Sequence, residues 1–386
     1  MSTVVSAPGK VLIIGGYLIL DRLYEGLAIG VDARFYTVIN SGNNTPSKII
    51  VRSPQFNDGN WEYQVSRVQD IYKVKAIDKD KKNKFIEITI KYCLSIIASR
   101  ISQSKFDEKI RDGLIIYIVG NNDFYSQREQ LKIHKLPLNA SSLRLLPSFN
   151  KMSVTLKQVH KTGLGSSASL ITSMNELNGG ELNKVVDPTF NKWDNQVVSI
   201  SLPPQFNLIL ADINIGSNTP SLVNKVLNWR KSNPNEAKTL WDKLASHNSK
   251  IINNIHELNK EYKSNKLEYE KVIAICSNKK FSDKIRQFLR EMSTLSNTQI
   301  EPPEQTRLLD ACMEIPGVIL AGVPGAGGFD AIFCIGIGNN FIEKVEDLWS
   351  TWSEMSVGPL LANESSEGFK LEKLENIKGL AEMIQS

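Results

Sequence analysis

Cysteine and histidine are both scarce, with four of each among 386 residues. Cys93, Cys276, Cys312 and Cys334 stand far apart, mostly inside apolar periodic segments, which argues against a disulfide framework and predicts reduced core thiols. His134, His160, His247 and His256 lack metal-ligand spacing, so no zinc site is expected. Charge of one sign is also in short supply: 46 Lys and Arg against 41 Asp and Glu leave a net +5. No basic stripe interleaved with aromatics occurs, so no nucleic-acid partner is expected. The densest charged run, Asp78-Lys79-Asp80-Lys81-Lys82-Asn83-Lys84, mixes signs and predicts a solvated turn. Long apolar runs are missing too. Residues 317–338 come nearest to a membrane span, but they hold seven glycines, Pro324 and Asp330, and read as strand, loop, strand. Met1 to Val5 lead straight into a strand, so no signal peptide is expected. The final Met383-Ile384-Gln385-Ser386 is not an SKL-type address, which favours the cytoplasm and leaves a peroxisomal location open.

What remains is the composition of an ordinary globular enzyme, 41% hydrophobic and 23% charged, long enough for two domains that each bury a core. The most informative stretch is Lys161-Thr162-Gly163-Leu164-Gly165-Ser166-Ser167-Ala168. Two glycines two apart let the backbone turn tightly and approach a ligand. The small and hydroxyl residues that follow suit a helix start, which gathers free N–H groups and a positive dipole end at one point. Two hydroxyls and Lys161 complete what reads as a phosphate cradle. The spacing Gly163-x-Gly165-x-x-Ala168 also fits a dinucleotide fingerprint, with Val154 to Val159 as its strand and Asp187 as its acid. A glycine-rich turn merely capping a helix would look the same in isolation.

Elsewhere, Val4-Val5-Ser6-Ala7-Pro8-Gly9-Lys10-Val11-Leu12-Ile13-Ile14 predicts strand, turn, buried strand. Lys10 inside that apolar run needs either an anion for its ammonium or a route to water along a strand end. Residues 27–31, 35–39, 49–52 and 114–119 predict further strands, and Ile86, Ile90, Cys93, Leu94, Ile97 and Ile101 share one helical face. Residues 121–151 read as a long polar loop. Phe206 to Ala211 opens a second domain, giving expected boundaries of 1–204 and 205–386. Thr219 with Pro220 predicts a helix start, a long helix follows through Leu240 to Leu258, Ser282 caps another, and Leu308-Leu309 mark a short one. Val318 to Phe333 reads as strand, Gly325-Ala326-Gly327-Gly328, strand, so something comes close to that backbone. Phe341 to Trp352 predicts a helix and Val357 to Leu361 a terminal strand.

Three elements in this order, Pro8-Gly9-Lys10, Gly163 to Ala168 and Gly325 to Gly328, resemble the three signatures of the GHMP kinase superfamily. Ser6 to Lys10 with Gly15-Gly16-Tyr17, Val31 to Tyr36, Lys161 to Ala168, Lys192-Trp193-Asp194-Asn195, Ile300 to Thr306 and Val323 to Ala331 together resemble its eukaryotic phosphomevalonate kinase branch, over about residues 3–335. The resemblance implies an α+β GHMP kinase fold: an N-terminal domain like domain 2 of ribosomal protein S5, a ferredoxin-like C-terminal domain, and the active site between them. It implies transfer of the γ-phosphoryl of ATP, with Mg²⁺, to 5-phosphomevalonate, small-molecule substrates only, and a monomer or homodimer without nucleic-acid or membrane partners. On it, Gly163, Leu164, Gly165, Ser166, Ser167 and Ala168 hold the nucleotide, and Ser167 ligates the metal. Lys161 sits on the transferring phosphoryl and Lys10 near the acceptor. Tyr17 and Gly325, Ala326, Gly327 and Gly328 face the substrate, and Ser217, Thr219 and Ser221 could hold its phosphate, although helix capping explains those hydroxyls equally well.

One departure stands out. The family's Gly-Ser-Gly-Phe-Asp block, which supplies a catalytic aspartate, has no counterpart after Ala168, where about 25 residues lead to Lys192. Either this sequence omits a segment, which is the expectation because a helix of the N-terminal core would go with it, or the protein binds without catalysing. An ATP-dependent decarboxylase of the superfamily and a dinucleotide-binding oxidoreductase are the other readings.

Overall fold

A computed structural model of the chain describes residues 2–42, 46–68, 71–100, 102–174, 196–213, 216, 219–276 and 284–385. Its strands are β1 (Thr3–Ile14), β2 (Leu27–Ser41), β3 (Lys48–Arg52), β4 (Asn60–Val68), β5 (Ile71–Ala76), β6 (Leu114–Gly120), β7 (Phe206–Ile213), β8 (Val318–Gly322), β9 (Ala331–Ile337), β10 (Val357–Pro359) and β11 (Lys370–Glu372). Its helices are α1 (Lys84–Arg100), α2 (Gln103–Arg111), α3 (Arg128–Ile133), α4 (Ala140–Leu143), α5 (Ser166–Met174), α6 (Thr219–Ser232), α7 (Pro234–Ser264), α8 (Lys266–Cys276), α9 (Lys284–Leu295), α10 (Pro303–Met313), α11 (Asn340–Thr351) and α12 (Leu380–Gln385).

Seven strands form one sheet in the order β11-β1-β2-β6-β3-β4-β5, and four form a second, β10-β7-β9-β8. The first sheet is antiparallel apart from the β3–β6 pair. Pro8-Gly9 does not turn the chain, as its sequence suggested. β1 runs on through it, and the irregularity appears as a shift of register between Pro8, opposite Arg34, and Gly9, opposite Val31. α1 starts where the Asn83 side chain accepts from the N–H groups of Phe85 and Ile86, and it buries Ile86, Ile90, Cys93 and Leu94 as the periodicity required. β4 and β5, which carry little apolar signal, extend the sheet beyond what the sequence indicated. The loop expected over 121–151 contains α3 and α4. Residues 154–159 form turns instead of a strand, which removes the βαβ frame that a dinucleotide fingerprint needs. Asp187 and the Lys192 to Asn195 block lie outside the described residues, as do Ser217 and Ser282.

The second sheet is covered on both faces. Ala211, Ile213, Ile332 and Cys334 pack with Leu308, Leu309, Phe341 and Trp349 of α10 and α11. Leu208, Leu210, Phe333 and Ile335 belong to the main core, which also takes in Ile252 and Ile255 of α7. This period-two alternation is what a strand buried on both sides produces. α7 places Ala237, Leu240, Trp241, Leu244, Asn248, Ile252 and Ile255 on its buried face. Trp241 takes the Arg230 guanidinium over its ring at 4.0 Å, and Arg230 pairs with Asp21 of the N-terminal half.

The strand expected at 357–361 ends at Pro359, and the chain then crosses back to the first sheet. Asn363 O accepts from Asp32 N (2.9 Å), Ser365 N donates to Gly30 O (2.9 Å), and β11 pairs with β1. Leu361 N donates to Asp123 Oδ1 at 2.9 Å. Desolvation raises the Asp123 carboxyl to about 6, against the pull of that hydrogen bond. Because this lies above the ordinary carboxyl value, the fold favours the protonated acid. The stabilisation is complete below about pH 4 and fades as pH rises through about 6. Thermal melting should therefore show a smaller loss of Tm from pH 5 to about pH 8 for Asp123→Asn than for the parent chain, and equal losses would assign the pH dependence elsewhere.

Candidate active site

Three glycine-containing segments meet at a cavity of about 940 Å³. Gly163 and Gly165 both take left-handed backbone angles (φ 79° and 72°), which aims the chain into the first turn of α5. Ala168 N and Ser169 N donate to Gly165 O (2.9 and 3.1 Å), and Ser166 and Ser167, at the positive dipole end of α5, line the cavity. Lys10 crosses the same loop: its N–H donates to Leu164 O (2.9 Å), and its side chain lies where a Gly165 Cβ would stand 2.8 Å from Cε. Ser169 Oγ donates to Pro8 O (2.8 Å), fastening α5 to β1.

The third segment, residues 323–328, is held from three sides. Gly325 N donates to Leu12 O (2.9 Å), Gly328 N donates to Ile300 O (2.8 Å), and the Tyr17 hydroxyl donates to Ala326 O (2.6 Å). Ile300 is itself anchored beside Glu301, a fully buried carboxylate paired with Arg286 (2.8 Å) and Arg290 (2.7 Å). Gly16 and Gly327 leave no room for a Cβ, which would sit 2.2 Å from Gly325 O and 2.1 Å from Ile300 O respectively. The glycines serve backbone packing as much as ligand approach.

The cavity brings together Lys10, Lys161, Gly163, Leu164, Gly165, Ser166, Ser167, Thr219, Gly325, Ala326 and Gly327. Ala168 and Gly328 stand behind the lining, and Tyr17 is buried beneath the third loop, holding it instead of facing substrate. Ser221 is exposed on α6, off the cavity wall. Burial lowers the Lys10 ammonium pKa. Burial also lowers that of Lys161, against the opposing charge of Asp330. Two desolvated lysines at the mouth of a glycine loop form a site for a strongly charged anion.

The sequence reading had not assigned His160, Trp61, Phe85 or Asp330 to this wall, nor Lys82, Asn83 and Lys84 from the charged turn. Only Asp330, adjacent to the third glycine segment, carried a local signal.

No protein-family model matches the chain. It is 30% identical to a phosphomevalonate kinase of Aspergillus fumigatus over 98% of both chains, and 29% identical to a peroxisomal phosphomevalonate kinase of Arabidopsis thaliana over 96% of both. The aligned span in each case, 492 positions, exceeds the 386 residues present, so both relatives carry stretches with no counterpart here. Among solved structures, Streptococcus pneumoniae phosphomevalonate kinase in complex with phosphomevalonate and AMPPNP superposes with a TM-score of 0.57 at 13% identity, covering 94% of this chain and 99% of that one. The α+β GHMP kinase fold is thereby established.

Replacing Gly165 by Ala puts a side chain at φ 72° against Lys10 and should cost about 1–3 kcal/mol in strain. Denaturant unfolding together with calorimetric titration of an ATP analogue checks this, and a variant equal to the parent in both would show that the loop relaxes. With the fold, the cavity and a relative of 30% identity over nearly its whole length in agreement, the chain belongs to the phosphomevalonate kinase family.

Proposed function

We propose that this protein transfers the γ-phosphoryl of ATP to 5-phosphomevalonate, with residues 1–204 and 205–386 as the two domains and the last segment of the second crossing back to the first. The observation that carries it is the convergence of Lys10, Lys161 and the Gly163–Ser167 loop on one cavity. N–H groups at the start of α5 hold the nucleotide phosphates, Lys161 neutralises the migrating phosphoryl, and Lys10 neutralises the oxygens on the acceptor side. Residues 325–327 close the acceptor side, near the Thr219 end of α6. Burial lowers the pKa of both lysines, and an entering polyanion would favour their charged forms.

Mg²⁺ fits the donors present, since Ser167 Oγ and the Asp330 carboxylate are hard oxygen ligands on the same cavity wall. Bound there, the ion would offset charge on the phosphate oxygens. The compartment we favour is the cytoplasm or the peroxisome, the latter supported by the name of the Arabidopsis relative.

The acceptor is itself a phosphate, with a second pKa of about 6, so its oxygens are ionised at neutral pH without a protein base. Positioning and charge neutralisation are then the main requirements. This bears on the family's aspartate block, which has no counterpart in this sequence: omission of a segment is the expectation, and a protein that binds both ligands without turning them over is the rival reading.

ADP release from ATP and Mg²⁺ should be seen with 5-phosphomevalonate, and not with mevalonate or 5-diphosphomevalonate. Lys161→Met should lower kcat by about 10²–10³-fold, the range for removing one transition-state contact. ADP release absent in the parent chain, with ATP binding retained, would establish the binding-only alternative.

A further inference from the structure

Behind the cavity wall lies an ion cluster that none of the roles above uses. Asp212, at the end of β7, is buried, and its Oδ2 accepts from Ser126 Oγ (2.6 Å) and Arg128 Nε (3.0 Å). Arg128 also donates to Asp212 O (2.8 Å) and Ser356 O (3.0 Å), which locks the carboxylate between two segments of the fold. The other oxygen, Oδ1, faces His160 Nε2 at 3.4 Å. Both atoms are buried, and among the described residues neither has a hydrogen-bond partner within normal distance. Ser126 closes the arrangement from the other side, its N–H donating to His160 O (2.9 Å).

His160 is one residue before Lys161 and lines the same cavity, with its side chain 20% exposed. Its ring packs against Gly216, where an added Cβ would meet three ring atoms at 3.6–3.8 Å. Gly216 in turn lies just before the Thr219-Pro220 start of α6, which lines the cavity too. With Nε2 directed at a fixed carboxylate, the ring lines the cavity beside Gly216 and the start of α6. An imidazole held between a carboxylate and a phosphate donates from both nitrogens, which is the arrangement of an imidazolium. Arg128 pairs with the other Asp212 oxygen at 3.0 Å, which fixes the carboxylate that Nε2 faces.

We propose that His160, oriented by Asp212, contacts the phosphate that the acceptor substrate already carries, on the α6 side of the cavity. His160 is thus a specificity residue for a phosphorylated acceptor over the free alcohol, and Asp212 is a positioning residue that acts through it. This rests on the proposed reaction for the identity of the acceptor, and binding measurements separate the two. The nucleotide phosphates, held by the Gly163–Ser167 loop, are the other source of the same chemistry.

Calorimetric titration of the full chain with 5-phosphomevalonate, mevalonate and an ATP analogue tests it, with His160→Phe and Asp212→Asn beside the parent. His160→Phe is expected to weaken 5-phosphomevalonate at least tenfold and to leave mevalonate and the ATP analogue within about twofold. Asp212→Asn should shift the same ligand in the same direction by less. His160→Gln, which keeps a donor, should recover part of the loss, and this marks a contact rather than a packing defect. Unchanged 5-phosphomevalonate binding in His160→Phe overturns the proposal, as does a loss confined to the ATP analogue or equal loss of 5-phosphomevalonate and mevalonate. Weakened 5-phosphomevalonate binding in His160→Phe, with no turnover by the parent chain, would sink the kinase reading and leave this one standing. Normal turnover with His160→Phe unaffected would do the reverse.

Discussion

The site depends on one edge of one strand. From Pro8 onward β1 pairs with β2 on one side only, because β11 covers just Val4 to Ser6 on the other. The edge left over presents Pro8 O, Lys10 N and Leu12 O, and each is taken by a different element around the cavity. Ser169 of α5 donates to Pro8, Lys10 donates to Leu164 of the glycine loop, and Gly325 of the third segment donates to Leu12. An unpaired strand edge is ordinarily a liability that a fold must cover. Here the covering elements are the two glycine segments that line the cavity, so the strand that supplies Lys10 also sets the spacing between them.

This explains why the glycines cluster where they do. Backbone hydrogen bonds to a strand edge bring chains to within about 3 Å, a separation at which a Cβ on the wrong side has nowhere to go. Gly16 against Gly325 O, Gly327 against Ile300 O and Gly165 against the Lys10 stem are three cases of one constraint. The buried Glu301 with Arg286 and Arg290 belongs to the same system one step out. By fixing the segment that carries Ile300, it holds the acceptor of Gly328 N in place. Removing a partner from such a pair leaves an uncompensated buried charge, so the third loop is only as well placed as that ion pair is intact.

The parts legible in the sequence were those whose signal is local. Gly-x-Gly before hydroxyls, a lysine in an apolar strand and three glycines between two strands each announce themselves within a dozen residues. The faces of α1 and α7 follow from a 3.6-residue repeat in the same way. What could not be read depended on partners distant in the chain. β4 and β5 extend an edge that β3 has because it pairs with β6, more than 60 residues on, and residues 154–159 form turns. Tyr17 looked like a substrate contact from its place beside two glycines, yet its hydroxyl is spent on Ala326 O, more than 300 residues away. His160 and Asp212 are 52 positions apart with no spacing pattern between them, and the Tyr125–Lys161 bridge with the Ser126 N to His160 O bond joins the 125–126 and 160–161 segments.

That bridge also bears on how a kinase of this family could act on fewer residues than its relatives. Lys161 is paired with Tyr125, Lys10 lies in β1, and the glycine loop accepts from Lys10 N through Leu164 O. An aspartate base matters most when the nucleophile is an alcohol that must lose a proton as it attacks. A phosphate acceptor arrives with that proton already gone, and the harder problem becomes holding two polyanions against each other. The cavity sets two desolvated lysines beside the glycine loop, and the Arg128–Asp212–His160 chain reaches the same wall through His160.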